Sequence, residues 1–169
     1  IITATTLNVG VGGTIITTQV GLGSVGINST APTATLDIGG HTKLKTYSEN
    51  VEALSIVANA VTVDLSKAQS FTLTASDNVT QFVVQNPPTG STSFTIKITQ
   101  DSIGNRSVGI DTFKDNGGVT IPVYWPGGGV LPIVTPTAGR TDIYSFRTFA
   151  GESITTAGLY GVVGGQNFA

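Results

Sequence analysis

The stretch Ser93-Phe94-Thr95-Ile96-Lys97-Ile98-Thr99 alternates strictly between polar and apolar residues. Successive side chains of a β-strand point to opposite faces of the sheet, so this period of two predicts a half-buried strand. Similar runs recur about every ten residues from about residue 48 onward, separated by clusters of Gly, Pro, Asn and Asp. The runs are Leu54–Ala58, Ala60–Leu65, Ser70–Ala75, Thr80–Gln85, Ser93–Thr99, Ser107–Asp111, Val119–Tyr124, Leu131–Val134, Asp142–Phe149 and Gly158–Val163. They predict a β-sandwich or jelly-roll-like C-terminal domain over residues 46–169. Residues 51–60 also fit one or two helical turns, but their Val and Ile content favours a strand.

Composition supports an all-β fold and excludes several function classes. Charged residues make up 11% of the 169 residues, against about 25% in average soluble domains. The 22 Gly and the many Thr suit turns and strands.

A net charge of −2 and the lack of a Lys/Arg cluster argue against nucleic acid as a partner. No apolar run is long enough for membrane insertion. Without Cys, disulfides and most zinc sites are excluded. We expect neither a metal nor a cofactor.

Residues 1–45 have a different pattern from the rest of the chain. Asn8–Gly12 is echoed eleven residues later by Gln19–Gly23, and apolar residues alternate there with Gly or polar residues. Such short pieces bury little apolar surface alone and need stacked neighbours or partner chains. We therefore expect a Gly-rich fibrous β shaft of intertwined identical chains, with a flexible Gly/Thr linker as the alternative. The residues expected to pack in this shaft are Val9, Val11, Val20, Leu22, Val25 and Ile27. Since the chain has no Met and begins with Ile1, we expect it to be a fragment or a processed product.

The search for catalytic and metal-binding patterns favours a protein that is not an enzyme. His41, the single histidine, has Gly40, Thr42 and Lys43 as neighbours, which indicates an exposed turn. Residues 111–117 weakly resemble a calcium loop, but they lack its closing acidic residue and contain a Lys, so turn chemistry is favoured. No nucleophile motif is present.

Tyr124 and Trp125 end a predicted strand and are followed by Pro126 and three Gly. This sequence predicts a rigid corner with a large ring at its edge. Trp125 either plugs the open end of the sandwich or contacts a sugar or a receptor. Tyr124 and Trp125 are therefore the candidate receptor-binding residues.

Two parts of the chain resemble bacteriophage structural proteins. Val25–Gly40 is similar to a V-G-I-G-T-x-x-P-x-x-x-L-D-V-x-G pattern found in trimeric surface fibres, with Asn28 among the departures from it. The last hundred residues resemble a terminal module of phage tail and structural proteins, especially those of marine and cyanobacterial phages. The motifs that carry this second resemblance are Phe71–Leu73, Asn86–Gly90, Phe94–Asp101, Trp125–Gly128, Asp142–Phe146 and Gly161–Ala169. Gly158-Leu159-Tyr160-Gly161 has Leu where that module has Trp.

The resemblance implies a homotrimeric virion fibre, outside the cell, whose C-terminal β domain is distal. The leading hypothesis is a tail fibre that attaches to a glycan or protein on the host cell surface. The second is a capsid decoration, head fibre or fibre-joining module that contacts other virion proteins and binds no receptor. The third is a glycan depolymerase, which needs two carboxylates close together. No such pair stands out on neighbouring predicted strands, so we expect no catalytic residues.

Overall fold

The computed structural model describes residues 6–9, 14–19, 24–31, 34–149 and 153–169. The chain divides into two compact units, Ile1–Tyr47 and Ser48–Ala169. Both consist of β-sheet, which confirms the all-β prediction.

The first unit contains one four-stranded sheet. Its strands are β1 (Thr6–Val9), β2 (Thr14–Gln19), β3 (Ser24–Ile27) and β4 (Leu36–Ile38), in that spatial order. The first three strands form an antiparallel meander, and β4 returns parallel to β3. Backbone hydrogen bonds from Val25 to Thr35 and from Gly39 to Ile27, at 2.7 and 2.9 Å, fasten this return. Polar and apolar residues also alternate over residues 42–47, but these residues do not form a strand and their side chains are exposed.

The second unit contains two sheets and two four-residue turns, α1 (Pro126–Gly129) and α2 (Ile154–Ala157). Sheet I has six strands in the order β13-β15-β14-β10-β8-β5, and sheet II has five in the order β12-β11-β9-β7-β6. Their bounds are β5 Val51–Leu54, β6 Ile56–Val57, β7 Ala60–Asp64, β8 Ser70–Ala75, β9 Gln81–Gln85, β10 Thr92–Gln100, β11 Phe113–Asp115, β12 Thr120–Ile121, β13 Val123–Tyr124, β14 Thr141–Thr148 and β15 Leu159–Phe168.

The path of the chain between the sheets differs from that of a jelly roll, in which neighbouring strands are antiparallel. From β7 to β11 successive strands alternate between sheet II and sheet I. Neighbours within each sheet are consequently parallel: β5, β8 and β10 in sheet I, and β7, β9 and β11 in sheet II. Connections such as residues 76–80 cross between the sheets instead of forming hairpins. The described antiparallel pairs are β6 with β7 and β11 with β12 in sheet II, and β10 with β14 and β14 with β15 in sheet I.

Both sheets contribute to one hydrophobic core, and its centre is a cluster of phenylalanines. Phe94 and Phe146 of sheet I stack at 5.2 Å between ring centroids, and Phe82 and Phe113 of sheet II stack at 5.1 Å. Phe113 and Phe146 meet across the two sheets at 4.8 Å. Phe113 has no solvent-exposed surface. Aromatic contacts of this kind contribute beyond the area they bury, so this cluster is expected to hold the two sheets together.

Several predicted strands were wrong in place or extent. Ser107–Asp111 forms only an isolated bridge, between Val108 and Val79, and Leu131–Val134 forms no strand. Val119–Tyr124 is divided at Pro122, whose ring nitrogen has no hydrogen to donate to a sheet ladder. The two halves join different sheets, as β12 and β13. Residues 113–115, interpreted as part of a turn, are instead the strand β11.

Residues 51–60 form no helical turn: Val51–Leu54 and Ile56–Val57 are the strands β5 and β6, as the Val and Ile content predicted. Ala58 and Asn59 make the turn after β6, both with positive φ. The strands predicted at Ser70–Ala75, Thr80–Gln85, Ser93–Thr99 and Asp142–Phe149 are present with bounds shifted by at most one residue.

Candidate binding surface on sheet I

The two candidate receptor-binding residues lie on opposite sides of sheet I. Trp125 is 8% exposed, and its ring meets Tyr144 and Phe146 edge-on at centroid distances of 6.3 and 5.7 Å. It therefore packs in the core, in the manner of a plug, and presents no free ring face to a receptor. Tyr124 is 47% exposed. Of the two, only Tyr124 is available on the surface described.

Two glycines of the segment before and within β15 make room for these rings. A Cβ on Gly161 would lie 2.6 Å from Cζ3 and 2.7 Å from Cη2 of Trp125, so the indole ring rests directly on the β15 backbone. A Cβ on Gly158 would lie 2.6 Å from Cε2 of Tyr124, and Gly158 also has a φ of +73°. Any side chain larger than a hydrogen atom at either position would push the neighbouring ring away. The two glycines thus leave the space that Tyr124 and Trp125 occupy.

The chain leaves this corner through three glycines in left-handed conformation. Gly127, Gly128 and Gly129 have φ values of 73°, 81° and 84°. L-residues with a Cβ are disfavoured in this region by roughly 1–2 kcal/mol each, so three in succession require glycine. The predicted corner is therefore present, with the buried Trp125 at its start and three left-handed glycines after it.

A row of exposed aromatic side chains runs across the edge of sheet I. Register places Tyr124 of β13 beside Tyr160 of β15, and their ring centroids are 5.1 Å apart. Phe149, directly after β14, meets Tyr160 at 5.4 Å. The three rings, which we call the aromatic row, are 47%, 46% and 53% exposed for Tyr124, Tyr160 and Phe149. Exposed aromatic rings clustered in this way are typical of binding surfaces.

Arg147 lies at the end of the aromatic row. It is the register partner of Tyr160 in β14, and its guanidinium carbon is 5.1 Å from the Phe149 ring centroid. Its Nη2 donates to the Ser91 hydroxyl at 3.2 Å, and that hydroxyl donates in turn to the carbonyl of Thr148 at 3.0 Å. In the described part of the chain, no carboxylate lies within ion-pair distance of Arg147. Among the described residues, the aromatic row is thus bordered by a cation that a hydrogen bond holds in place and that no carboxylate neutralises.

Beside the aromatic row lies a shallow groove of about 310 Å³ lined by Tyr124, Trp125, Pro126, Tyr160, Gly161 and Val162. This volume is at the small end of ligand pockets, which are mostly apolar with few polar groups. The indole Nε1 of Trp125 is buried and donates to no described acceptor. A buried N–H group without an acceptor lowers the stability of the fold by about 1–3 kcal/mol. The position of Trp125 is therefore set by packing of its ring and not by a hydrogen bond from its Nε1.

Further along the same face, polar side chains form two rows across three strands. Ser70, Thr95 and Ser145 are register partners in β8, β10 and β14, and so are Thr74, Thr99 and Thr141. The hydroxyls of Thr95 and Ser145, and those of Thr99 and Thr141, hydrogen bond to each other at 2.9 Å. The aromatic row therefore borders a flat face rich in hydroxyl groups.

The buried carboxylate of Asp142 has structural surroundings. Asp142 is 1% exposed, and its carboxylate accepts hydrogen bonds from the backbone NH groups of Thr135 and Asn167 at 2.6 and 2.8 Å. Burial tends to raise the pKa of Asp142, but these amides and the Tyr144 hydroxyl outweigh it and hold that pKa below its usual value. Burial, with the neighbouring Asp142 charge, raises the pKa of Tyr144. This carboxylate fastens the end of β15 to the loop before β14.

No family model, no curated protein and no solved structure matches this chain. The function therefore rests on the chemistry of the surface and on the sequence patterns. In the parts of the chain that the structure describes, no three His, Asp or Glu side chains are grouped closely enough to hold a metal ion. Within those same parts, no helix is both long and apolar enough to cross a membrane.

All six predicted shaft residues belong to the first unit, and the structure describes three of them. Val25 and Ile27 are two residues apart in β3, so they share one face of the sheet, and both are half-buried. Val9 belongs to β1, where only the strand itself is described. Val11, Val20 and Leu22 lie outside the described residues. His41 is exposed in the segment after β4.

Sequence reasoning missed Tyr160, Phe149 and Arg147 as site residues. Tyr160 is 36 positions from Tyr124 in the sequence, and the two meet because β13 and β15 pair in parallel. That pairing is not visible in local patterns. The one available signal was the pair of glycines around Leu159 and Tyr160, which marks a close approach of another side chain.

Proposed function

We propose that this chain is a virion structural protein, the distal part of a trimeric phage fibre that attaches to the surface of the host cell. The observation that carries the attachment role is the aromatic row, with three neighbouring rings each about half exposed. Soluble domains rarely leave such rings together on the surface unless they bind something. The resemblance of Val25–Gly40 and of the last hundred residues to phage fibre modules supports the virion setting.

The fibrous shaft and the homotrimer belong to the same proposal. The half-buried Val25 and Ile27 lie on a sheet of only four short strands, and partner chains would complete the burial of such a face. Each chain of a trimer carries one aromatic row, so the trimer has three of them. Weak individual contacts then add to a much stronger attachment, provided that all three surfaces reach the cell together.

A specific surface feature favours the second hypothesis, a capsid decoration or joining module. Val130, Leu131 and Ile133 are all exposed in the loop before β14. A contiguous apolar segment of this kind suits contact with another virion protein. The two roles predict different locations on the particle.

Immunogold electron microscopy of purified particles, with antibody against Ser48–Ala169, tests the proposal. We expect gold at the tips of fibres. Gold spread over the capsid surface would support the decoration hypothesis, and absence of the chain from purified particles would overturn both. Light scattering of the purified protein tests the trimer, for which we expect three times the 17.3 kDa mass of the chain.

A further inference from the structure

We propose that the aromatic row and Arg147 bind an acidic saccharide, with sugar rings against Tyr160 and Tyr124 and a sugar carboxylate at the Arg147 guanidinium. This inference rests on the proposed function, because it names the class of ligand for the same surface. It is carried by the juxtaposition of exposed rings on adjacent strands with Arg147, a cation that meets no carboxylate among the described residues.

The strands place these groups in a line. Arg147, Tyr160 and Tyr124 are register neighbours on β14, β15 and β13. Adjacent strands lie about 4.8 Å apart, so the line is about 10 Å long between the outer Cα atoms. Because all three side chains stand on sheet positions, their spacing is set by backbone hydrogen bonds. A rigid ligand of comparable length can meet the charge and a ring at once with little ordering cost.

The charge arrangement selects an anion. Within the described residues, one N–H of Arg147 is used, in the bond to Ser91, and a guanidinium has five donors in a planar fork that matches a carboxylate. The Ser91 hydroxyl, itself bonded to the Thr148 carbonyl, holds the fork in place. The chain carries a net charge of −2, so any preference for an anion has to arise locally at Arg147 rather than from the overall charge.

The surroundings favour a saccharide over other anions. Flat exposed rings offer faces to the C–H groups of a sugar, and the neighbouring Thr and Ser rows offer hydroxyls to its oxygens. A helical peptide needs a deeper apolar groove than the shallow one beside Tyr160. A single-stranded nucleic acid also stacks on aromatic rings, but it needs a positively charged track, and the described outer face of sheet I offers only Lys97 and Arg147.

Calorimetric titration of the full chain with a tetrasaccharide of galacturonic acid tests the proposal. The matched ligand is the methyl ester of the same tetrasaccharide, which has the same rings but no charge. We expect the acid to bind at least about tenfold more tightly than the ester, as one charge-assisted bidentate pair requires. Arg147→Gln should abolish this difference, so that the acid and the ester bind equally. Tyr160→Ala should weaken both ligands equally.

Lys97→Gln is the matched control, since it removes a cation from the same face away from the aromatic row, and we expect unchanged binding of both ligands. Unchanged far-UV circular dichroism and unfolding midpoints show that each variant is folded. Equal binding of acid and ester, no binding of either, or an acid preference that survives Arg147→Gln would overturn the proposal. Tighter binding of a short oligothymidylate than of the acid would replace the saccharide with nucleic acid. None of these results bears on gold labelling at fibre tips, so the proposed function can stand or fall separately.

Discussion

The close approach of Trp125 to Gly161 gives a sharp test of how the binding corner is built. Gly161→Ala adds a methyl group that would lie 2.6 Å from Trp125 Cζ3 and 2.7 Å from Cη2, well inside van der Waals contact. The indole ring is wedged against Tyr144 and Phe146 and cannot retreat without moving the core. Overpacking of this kind costs about 1–3 kcal/mol. We therefore expect the unfolding temperature to fall by roughly 4–12 °C.

Urea unfolding followed by circular dichroism measures this cost, and the emission of the single Trp reports the ring position. Gly164→Ala in the same strand is the matched control. Its Cβ would lie 3.2 Å from Cγ2 of Ile143, a side-chain contact that a small shift relieves. Trp125→Phe removes the outer ring atoms Cζ3 and Cη2, so Gly161→Ala should cost less in that background, with a coupling of about 1 kcal/mol or more. The reasoning is refuted if Gly161→Ala costs the same in both backgrounds.

Three further predictions concern stability. Asp142 has a lower pKa in the folded chain than in the unfolded chain, so its contribution is present near neutral pH and is lost as the pH falls below about 4. Asp142→Asn should lower the urea midpoint at pH 7 and flatten its decline in acid; a decline as steep as in the wild type would contradict this. Gly128→Ala should cost about 1–2 kcal/mol in urea because φ is +81°, although a Cβ there meets nothing within 4 Å. Phe113→Ala should cost about 3–5 kcal/mol by the same measurement, since its ring contacts Phe82, Phe94 and Phe146; a cost below about 1 kcal/mol would show that it does not join the sheets.

The long strands could be predicted because their signal is local. β10 and β14 each alternate over eight or nine residues, with buried side chains at every second position. That period is present in the sequence whatever the strand pairs with. The all-β class and most strand positions in the second unit follow from it.

The short strands and the pairing could not be predicted, because they depend on distant residues. Phe113 lies in a segment with two Asp, one Asn and two Gly within eight residues, and this turn chemistry hides a strand of only three. β11 exists because β9 supplies a parallel partner for it. The sequence of an alternating strand is the same whether its neighbours are parallel or antiparallel. No local sequence pattern therefore indicates that the chain crosses between the two sheets.

The aromatic row and the core corner are two sides of one piece of backbone. Tyr124 pairs with Tyr160 on the outer face, and the next residues, Trp125 and Gly161, meet on the inner face. Because successive side chains alternate across a sheet, fixing the inner contact also fixes the outer one. A change at Gly161 should therefore disturb ligand binding at Tyr160 without touching any exposed side chain. Gly161, although buried, is therefore as necessary for the geometry of the binding surface as Tyr124 and Tyr160 are.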